Sequence, residues 1–177
     1  MKKNLLIIGA GMLVAFSACS NKKSDDNKPV ENKTNPTVEK NLEAVHNINK
    51  FFQTGDVSLI EKSIAIGAID HAGPGGDMVA TNMDSLKAYF VKMRNGFETT
   101  KMETVKEWAD EEYVVQWMKG SGVSKDAASG VPVGQKIEDM YDVHISKCKD
   151  GKTVEHWEFM QPGDLMKMMG GANAGGK

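Results

Sequence analysis

Cysteine, basic charge and long apolar runs are all scarce in this 177-residue chain. It has two cysteines, and its 22 Lys and Arg residues are slightly outnumbered by 24 Asp and Glu residues, for a formal net charge of -2. No basic stripe offsets that balance, so the sequence predicts no nucleic-acid partner held through phosphate contacts. The chain also lacks a Gly-x-Ser-x-Gly nucleophile elbow and a complete phosphate-binding loop. Covalent or phosphoryl chemistry is therefore not indicated, and we expect no bound cofactor.

The first eighteen residues have the features of an export leader. A short cationic start with Lys2 and Lys3 precedes an apolar run over residues 5–16. A membrane-spanning helix needs about 20 apolar residues, so this run is too short for an anchor and is typical of the core of a signal peptide. We therefore predict a signal peptide at residues 1–18.

A cysteine follows the apolar run directly. The segment Phe16-Ser17-Ala18-Cys19 resembles the lipobox of bacterial lipoproteins, with Phe16 in place of the usual leucine. The resemblance implies that Cys19 becomes the new N-terminus and is lipid-modified, which would hold the protein on a membrane surface. The alternative is an ordinary signal peptide cleaved after Ala18, with Cys19 left as a free thiol.

Residues 19–36 are polar and charged and predict a disordered tether behind the lipid. Within it Ser24-Asp25-Asp26 resembles the acidic tag of some surface-exposed Bacteroidota lipoproteins, and a merely soluble linker is the alternative. The predicted location is the cell envelope, anchored at the outer membrane on its periplasmic or surface face. Loss of Lys2 and Lys3 with the leader would change the formal charge from -2 to -4.

Residues 37–170 carry the pattern of one α+β domain, and residues 171–177 predict a disordered glycine-rich tail. One helix face is spaced by three and four residues: Val38, Leu42, Val45, Ile48 and Phe52. We predict helices beginning at Thr37, Val57, Thr81 and Pro162, and strands over residues 64–71, 99–109, 113–121, 136–148 and 153–161. Helices followed by long strands indicate a curved antiparallel sheet wrapped around helices.

The hairpin at Asp150-Gly151 decides which side chains share a face of the sheet. We predict a three-residue loop, residues 149–151, which pairs His144 with His156. This register places an apolar set on one face and a polar set on the other. The apolar set is Tyr141, Val143, Ile145, Trp157 and Phe159, and the polar set is Met140, Asp142, His144, His156 and Glu158.

The polar set has three interpretations. It is a solvated sheet face, or the lining of a pocket in which a carboxylate and an imidazole act as acid and base. A metal site of His144, His156 and Glu158 is the third, but these residues lack a diagnostic ligand spacing, so we predict no metal.

Several motifs, in order along the chain, resemble the SnoaL-like polyketide cyclases of the nuclear transport factor 2-like superfamily. They are Gly55-Asp56, Asp70-His71, Gly130-Val131-Pro132-Val133-Gly134, the segment Asp150-Gly151-Lys152-Thr153-Val154-Glu155-His156-Trp157, Asp164 and Gly170. The resemblance implies a cone-shaped α+β fold that encloses a pocket, and in many members a homodimer formed through the outer face of the sheet. Trp157, Phe159 and Tyr141 would then face the partner subunit, or would pack under helices instead.

The resemblance also implies roles for single residues. Glu158 matches the carboxylate that acts as general acid and base in the family, where the cyclases have Asp, and His144 matches a histidine on the preceding strand. We expect His71 at the pocket mouth as a third catalytic candidate. The pocket lining is predicted to include Asp70, Met140, Asp142 and His156.

Two classes of function follow from these features. The first is a lipid-anchored protein that holds a small hydrophobic molecule in a conical pocket rich in methionine and aromatic residues. The second is a general acid–base enzyme on a carbonyl or ester substrate, with Glu158 moving the proton. If Cys19 is lipidated, Cys148 is the one remaining thiol and no internal disulfide forms. Cys148 is then a small buried hydrophobe or a redox site.

Overall fold

The computed structural model describes residues 35–72, 76–126 and 131–169. The predicted signal peptide, Cys19, nearly all of the tether, Gly130 and the glycine-rich tail lie outside these residues. Within the described ranges, no helix has both the length and the apolar character that crossing a membrane requires.

Helices and strands follow the predicted order, with bounds that differ by a few residues. The helices are α1 (Pro36–Thr54), α2 (Ser58–Ser63), α3 (Met83–Gly96) and α4 (Pro162–Met168). The strands are β1 (Ile64–Asp70), β2 (Met78–Val79), β3 (Phe97–Ala109), β4 (Tyr113–Ser124), β5 (Lys136–Lys149) and β6 (Lys152–Met160). They form one curved sheet in the order β2-β1-β6-β5-β4-β3, which confirms the α+β fold.

Two features of the sheet were not predicted. β1 lies parallel to β6, whereas the other neighbouring strands are antiparallel. The short strand β2 pairs with β1 at the edge of the sheet. The parallel pairing matters for the site, because it places the end of β1 beside His156: Asp70 is its direct neighbour in the register.

Helix α1 begins one residue before its predicted start, and helix α3 begins two residues after its predicted start. Helix α1 begins at Pro36 and is capped by Asn35, whose side chain accepts a hydrogen bond from the Thr37 N–H at 2.9 Å. Proline suits the first helical position because its missing N–H needs no partner there. Helix α3 is capped by Asn82 rather than Thr81, since the Asn82 side chain accepts from the Ser85 N–H at 2.8 Å.

The helices pack together against one end of the sheet. Phe51 and Ile60 are fully buried and Leu86 is nearly so, and the ring of Phe51 meets that of Phe90 edge to face. Near the start of α1 the buried Asn41 donates to the backbone carbonyls of the turn between β3 and β4. This contact fixes α1 across the sheet, so a space remains between the helices and the far half of the concave face.

The predicted register of the β5–β6 hairpin is wrong. Asp150 and Gly151 both have positive φ, the geometry of a two-residue type I′ turn, and Lys149 pairs with Lys152. The register then shifts between Lys147 and Cys148, with Val154 as the extra residue on β6. His144 is therefore opposite Glu158 rather than His156. The predicted separation of an apolar and a polar face nevertheless holds, because the turn and the bulge together restore the alternation.

The convex face of the sheet, which we call the outer face, exposes large aromatic side chains. Trp108 is 50%, Trp117 40% and Phe159 56% exposed. Trp117 also contacts the ring of Tyr141, and Lys119 lies over that ring. No helix among the described residues covers these side chains, so the alternative that they pack under helices is not met.

Candidate functional site

A cavity of about 480 Å³ lies between the concave face of the sheet and helices α1 and α3. Its wall is mostly apolar and aromatic and includes Phe52, Phe90 and Phe97. Seven of the described methionines also line it: Met78, Met93, Met102, Met118, Met140, Met160 and Met168. The lining residues come from helices α1, α3 and α4 and from strands β1 to β6, so the cavity depends on the whole domain.

Six of the seven sequence-predicted site residues within the domain line this cavity. Met140 stands on the concave face, and the other five form what we call the polar cluster: Asp70, Asp142, His144, His156 and Glu158. The polar cluster is built from three strands, because β1 supplies one residue and β5 and β6 supply two each. The structure brings these residues together, and their chemical roles stay predictions.

The two imidazoles of the polar cluster are hydrogen-bonded to each other. His144 Nδ1 lies 3.1 Å from His156 Nε2, and the two rings are nearly parallel. The other nitrogen of His156, Nδ1, lies 2.9 Å from Asp70 Oδ1. A carboxylate only accepts, so His156 donates to Asp70 and accepts from His144. Both nitrogens of His156 are thereby used, which leaves it no lone pair for a metal ion.

The second nitrogen of His144 faces the remaining carboxylates. His144 Nε2 is 3.4 Å from Asp142 Oδ1, and Glu158 is its partner across the strands. Burial acts to lower the pKa of His144, but Asp142, Glu158 and Asp70 outweigh it and raise that pKa above its ordinary value. These carboxylates therefore favour the protonated form of His144.

Asp70 is the fixed anion of the cluster. Burial acts to raise the pKa of Asp70, yet the hydrogen bond from His156, together with that from the Ala72 N–H, lowers it below its ordinary value. The structural reason is the parallel register of β1 and β6, which sets Asp70 beside His156. Asp70 thus orients His156, and His156 in turn orients His144.

Three donor atoms of the cluster converge closely enough for a metal ion. One oxygen each from Asp142 and Glu158 and one nitrogen of His144 lie within 4.8 Å of one another. The set differs from the one considered from the sequence, because Asp142 takes the place of His156. A proton on His144 Nε2 and a metal ion are alternatives at that nitrogen.

His71 is not where the sequence suggested. The ring of His71 stacks on Trp157 with centroids 4.9 Å apart, on the outer face, and its Nδ1 lies 2.9 Å from Asp77. It does not line the cavity. The reason is alternation along the strand end: Asp70 points inward to His156, so the next side chain points outward.

Several further polar residues line the cavity and were not predicted from the sequence, among them Asn49, Gln116 and Tyr89. Gln116 is 1% exposed, accepts from Asn49 at 3.0 Å and donates to Glu107 at 2.6 Å. Tyr89 stands on α3, where burial and the charges of Asp70 and Glu158 raise its pKa. The sequence contained signals for two of them. Gln116 lies two residues from both Val114 and Met118, so the three side chains share one face of β4. Tyr89 follows Leu86 by three residues and therefore lies on the same helix face.

Cys148 behaves as a buried hydrophobe. It is 4% exposed and packs with Val45 and Val114, and burial raises the pKa of its thiol to about 11. The thiolate is the reactive form, so this site does not favour redox chemistry.

The charge state of His144 is open to direct measurement. We expect NMR of the ring protons to give His144 a pKa above the ordinary histidine value of about 6.5. Because the folded-state pKa is raised, protonation of His144 contributes stability that is fully present below about pH 6.5 and is lost as the pH rises through the folded-state value. Asp142→Asn removes the nearest anion and should lower the pKa.

A matched control comes from the same strand. Glu138 is exposed on β5 and lies six residues from His144, roughly 20 Å along a strand. Glu138→Gln should leave the His144 titration unchanged. A His144 pKa at or below about 6.5 in the unmodified protein would contradict the expectation that the neighbouring carboxylates raise it.

Comparisons with known proteins agree with this fold. The model of the family described as SnoaL-like polyketide cyclase matches residues 42–169. A solved structure described as a SnoaL-like polyketide cyclase from Jannaschia sp. CCS1 is similar with a TM-score of 0.64 at 19% identity, covering 78% of this chain and 96% of that one.

Two further solved structures share the fold. An LEH-like epoxide hydrolase from M. tuberculosis has a TM-score of 0.60 at 10% identity, covering 77% of this chain and 94% of that one. TsrD from Streptomyces laurentii has a TM-score of 0.60 at 16% identity, covering 75% and 96%. Among curated proteins none matches the chain. The family match spans most of the chain, and the chain belongs to the SnoaL-like polyketide cyclase family.

Proposed function

We propose that this protein binds a small hydrophobic molecule in the cavity between the sheet and helices α1 and α3. The observation that carries the proposal is the cavity itself. It has a volume of about 480 Å³, its wall is mostly apolar, and the polar cluster forms part of that wall. Ligand sites have this form, with volumes of about 300 to 1,000 Å³ and a few polar groups that orient the ligand.

The methionine content of the wall supports a ligand site rather than an ordinary core. Methionine is unbranched and polarizable, and it adapts to the shape of what it contacts. A packed core leaves few voids larger than a water molecule, whereas this cavity has room for a molecule of many heavy atoms. The buried aromatic rings of α1 and α3 form the opposite wall.

A neutral fluorescent probe tests the proposal. N-phenyl-naphthylamine should bind the purified protein with an increase in emission, and native mass spectrometry should show any apolar molecule that copurifies. Met140→Trp places an indole in the cavity and should weaken probe binding at least about tenfold by filling the volume. Val143→Trp on the outer face of the same strand is the control and should bind the probe normally. Equal binding by the two variants would count against the cavity as the site.

General acid–base catalysis is a second candidate, favoured by the hydrogen-bonded chain from Asp70 through His156 to His144. Such a chain fixes the tautomer and orientation of the last imidazole, and the carboxylate of Glu158 lies on the adjacent strand opposite it. In this proposal Glu158 removes a proton next to a carbonyl group, and the His144 imidazolium stabilises the oxyanion that forms. An epoxide hydrolase and described polyketide cyclases share the fold, and acid–base chemistry suits both reactions.

Proton abstraction can be measured without knowing the natural substrate. Apolar ketones that bind in the cavity should exchange α-hydrogen for deuterium in D₂O faster than in buffer, followed by NMR. Glu158→Gln should lower that rate by about 100-fold or more, and the exposed Glu138→Gln should not. A ketone that binds but exchanges only at the buffer rate would leave binding without catalysis.

We also propose that the protein is an envelope lipoprotein anchored through Cys19. The support is the sequence alone: a short apolar run, two small residues and a cysteine. Cells given a labelled fatty acid should label the unmodified protein and Cys148→Ser, but not Cys19→Ser. If Cys19→Ser still incorporated the label, the proposal that Cys19 is the lipid anchor would be wrong.

The outer face supports a homodimer as a further proposal. Trp108, Trp117 and Phe159 expose large apolar areas there, and such patches mark contact sites on soluble proteins. Light scattering after size exclusion should give twice the chain mass at micromolar concentration, and Trp117→Lys should shift it toward the monomer. A monomer for the unmodified protein would end this proposal.

A further inference from the structure

The polar cluster has an acceptor that nothing in the described structure satisfies. The side chain of Asp142 lines the cavity and is only 11% exposed. Its Oδ1 atom is buried and has no hydrogen-bond partner among the described residues. Its nearest charged neighbour, His144 Nε2, is 3.4 Å away, beyond the usual length of an N–H to oxygen hydrogen bond. A buried carboxylate oxygen without a donor costs free energy, so a donor arriving with a ligand is favoured there.

The charges of the cluster point the same way. Asp70, Asp142 and Glu158 place three carboxylates around two imidazoles. His156 is neutral because it donates to Asp70 while accepting from His144, so His144 is the one imidazole of the cluster that can carry a positive charge. The cluster therefore has an excess of negative charge in a mostly apolar cavity. Burying such an excess is unfavourable unless a positive group enters with it.

Neither lysine that lines the cavity supplies this positive group. The ammonium group of Lys119 is paired with Asp139 at 2.9 Å and lies over the ring of Tyr141, on the outer face and away from the cavity. Lys92 is exposed on α3. Gln116 and Ser146, which line the cavity opposite His144 and His156, are polar but carry no charge. The raised pKa of Tyr89, caused first by burial and then by Asp70 and Glu158, reflects the same negative field.

We propose that the ligand is an apolar amine, in which a protonated nitrogen donates to Asp142 Oδ1 and faces Glu158 while a hydrocarbon or aromatic body fills the methionine-rich cavity. This inference rests on the proposed ligand-binding function and narrows it to one chemical class. An N–H from a cation to a carboxylate is among the stronger hydrogen bonds, and a cation beside an aromatic ring gains further. A carboxylic acid of the same shape would meet three like charges.

Three probes with one apolar body separate these effects. Naphthylethylamine, naphthylethanol and naphthylacetic acid should be titrated calorimetrically into the purified protein at about pH 7, where the amine is a cation. The amine should bind at least about tenfold tighter than the alcohol, and the acid at least about tenfold weaker. Asp142→Asn keeps the shape of the side chain but removes its charge. In this variant the affinities for the amine and the alcohol should differ by no more than about threefold. Glu138→Gln should keep the full preference.

The outcomes distinguish this inference from the function on which it rests. If the alcohol binds and the amine binds no tighter, the amine class is wrong and the hydrophobic site stands. If the amine preference survives in Asp142→Asn, the assignment to Asp142 is wrong. If none of the three probes binds and the neutral fluorescent probe does not bind either, both the amine inference and the proposed ligand-binding function are wrong. A stoichiometric metal ion in protein purified without chelators, lost in Asp142→Asn, would show that a metal ion and not an amine balances the charge.

Discussion

A single extra residue in β6 decides which side chains the cavity contains. The two-residue turn at Asp150-Gly151, taken alone, would pair His144 with Trp157 and turn His156 and Glu158 to the outer face. The bulge at Val154 restores the alternation. Every later residue of β6 returns to the face that the cavity needs, so the polar cluster depends on this bulge before it depends on any hydrogen bond.

The polar cluster is then ordered from its buried end. Asp70 can accept from His156 only because β1 lies parallel to β6 in this register. That contact leaves His156 Nε2 as an acceptor and makes His144 the donor, which turns the second nitrogen of His144 toward Asp142. Each step fixes the proton of the next ring, so the orientation of His144 is determined by a carboxylate two side chains away. Such preorganisation lowers the cost of ordering when a ligand binds.

Periodicity was enough to predict the fold class, the order of elements and the grouping of Asp142, His144, His156 and Glu158 on one face. Alternation depends only on whether a register is odd or even, so the predicted loop and the observed turn with its bulge give the same faces. The closeness of Asp70 to His156 could not be derived by this route, because no local pattern specifies a parallel neighbour eighty-six residues away in sequence. His71 was misplaced because alternation turns its side chain outward once Asp70 faces His156.

The same alternation links the two faces of the sheet. On β6, Glu158 points into the cavity and Phe159 points out on the same face as the exposed Trp117. A substitution changes one face and leaves the other, but an insertion or deletion in β6 exchanges both sets of side chains at once. The cavity and the outer aromatic face are therefore not independent features of this protein. A change of register that removed the polar cluster would also bury aromatic rings in the cavity and expose carboxylates and imidazoles on the outer face.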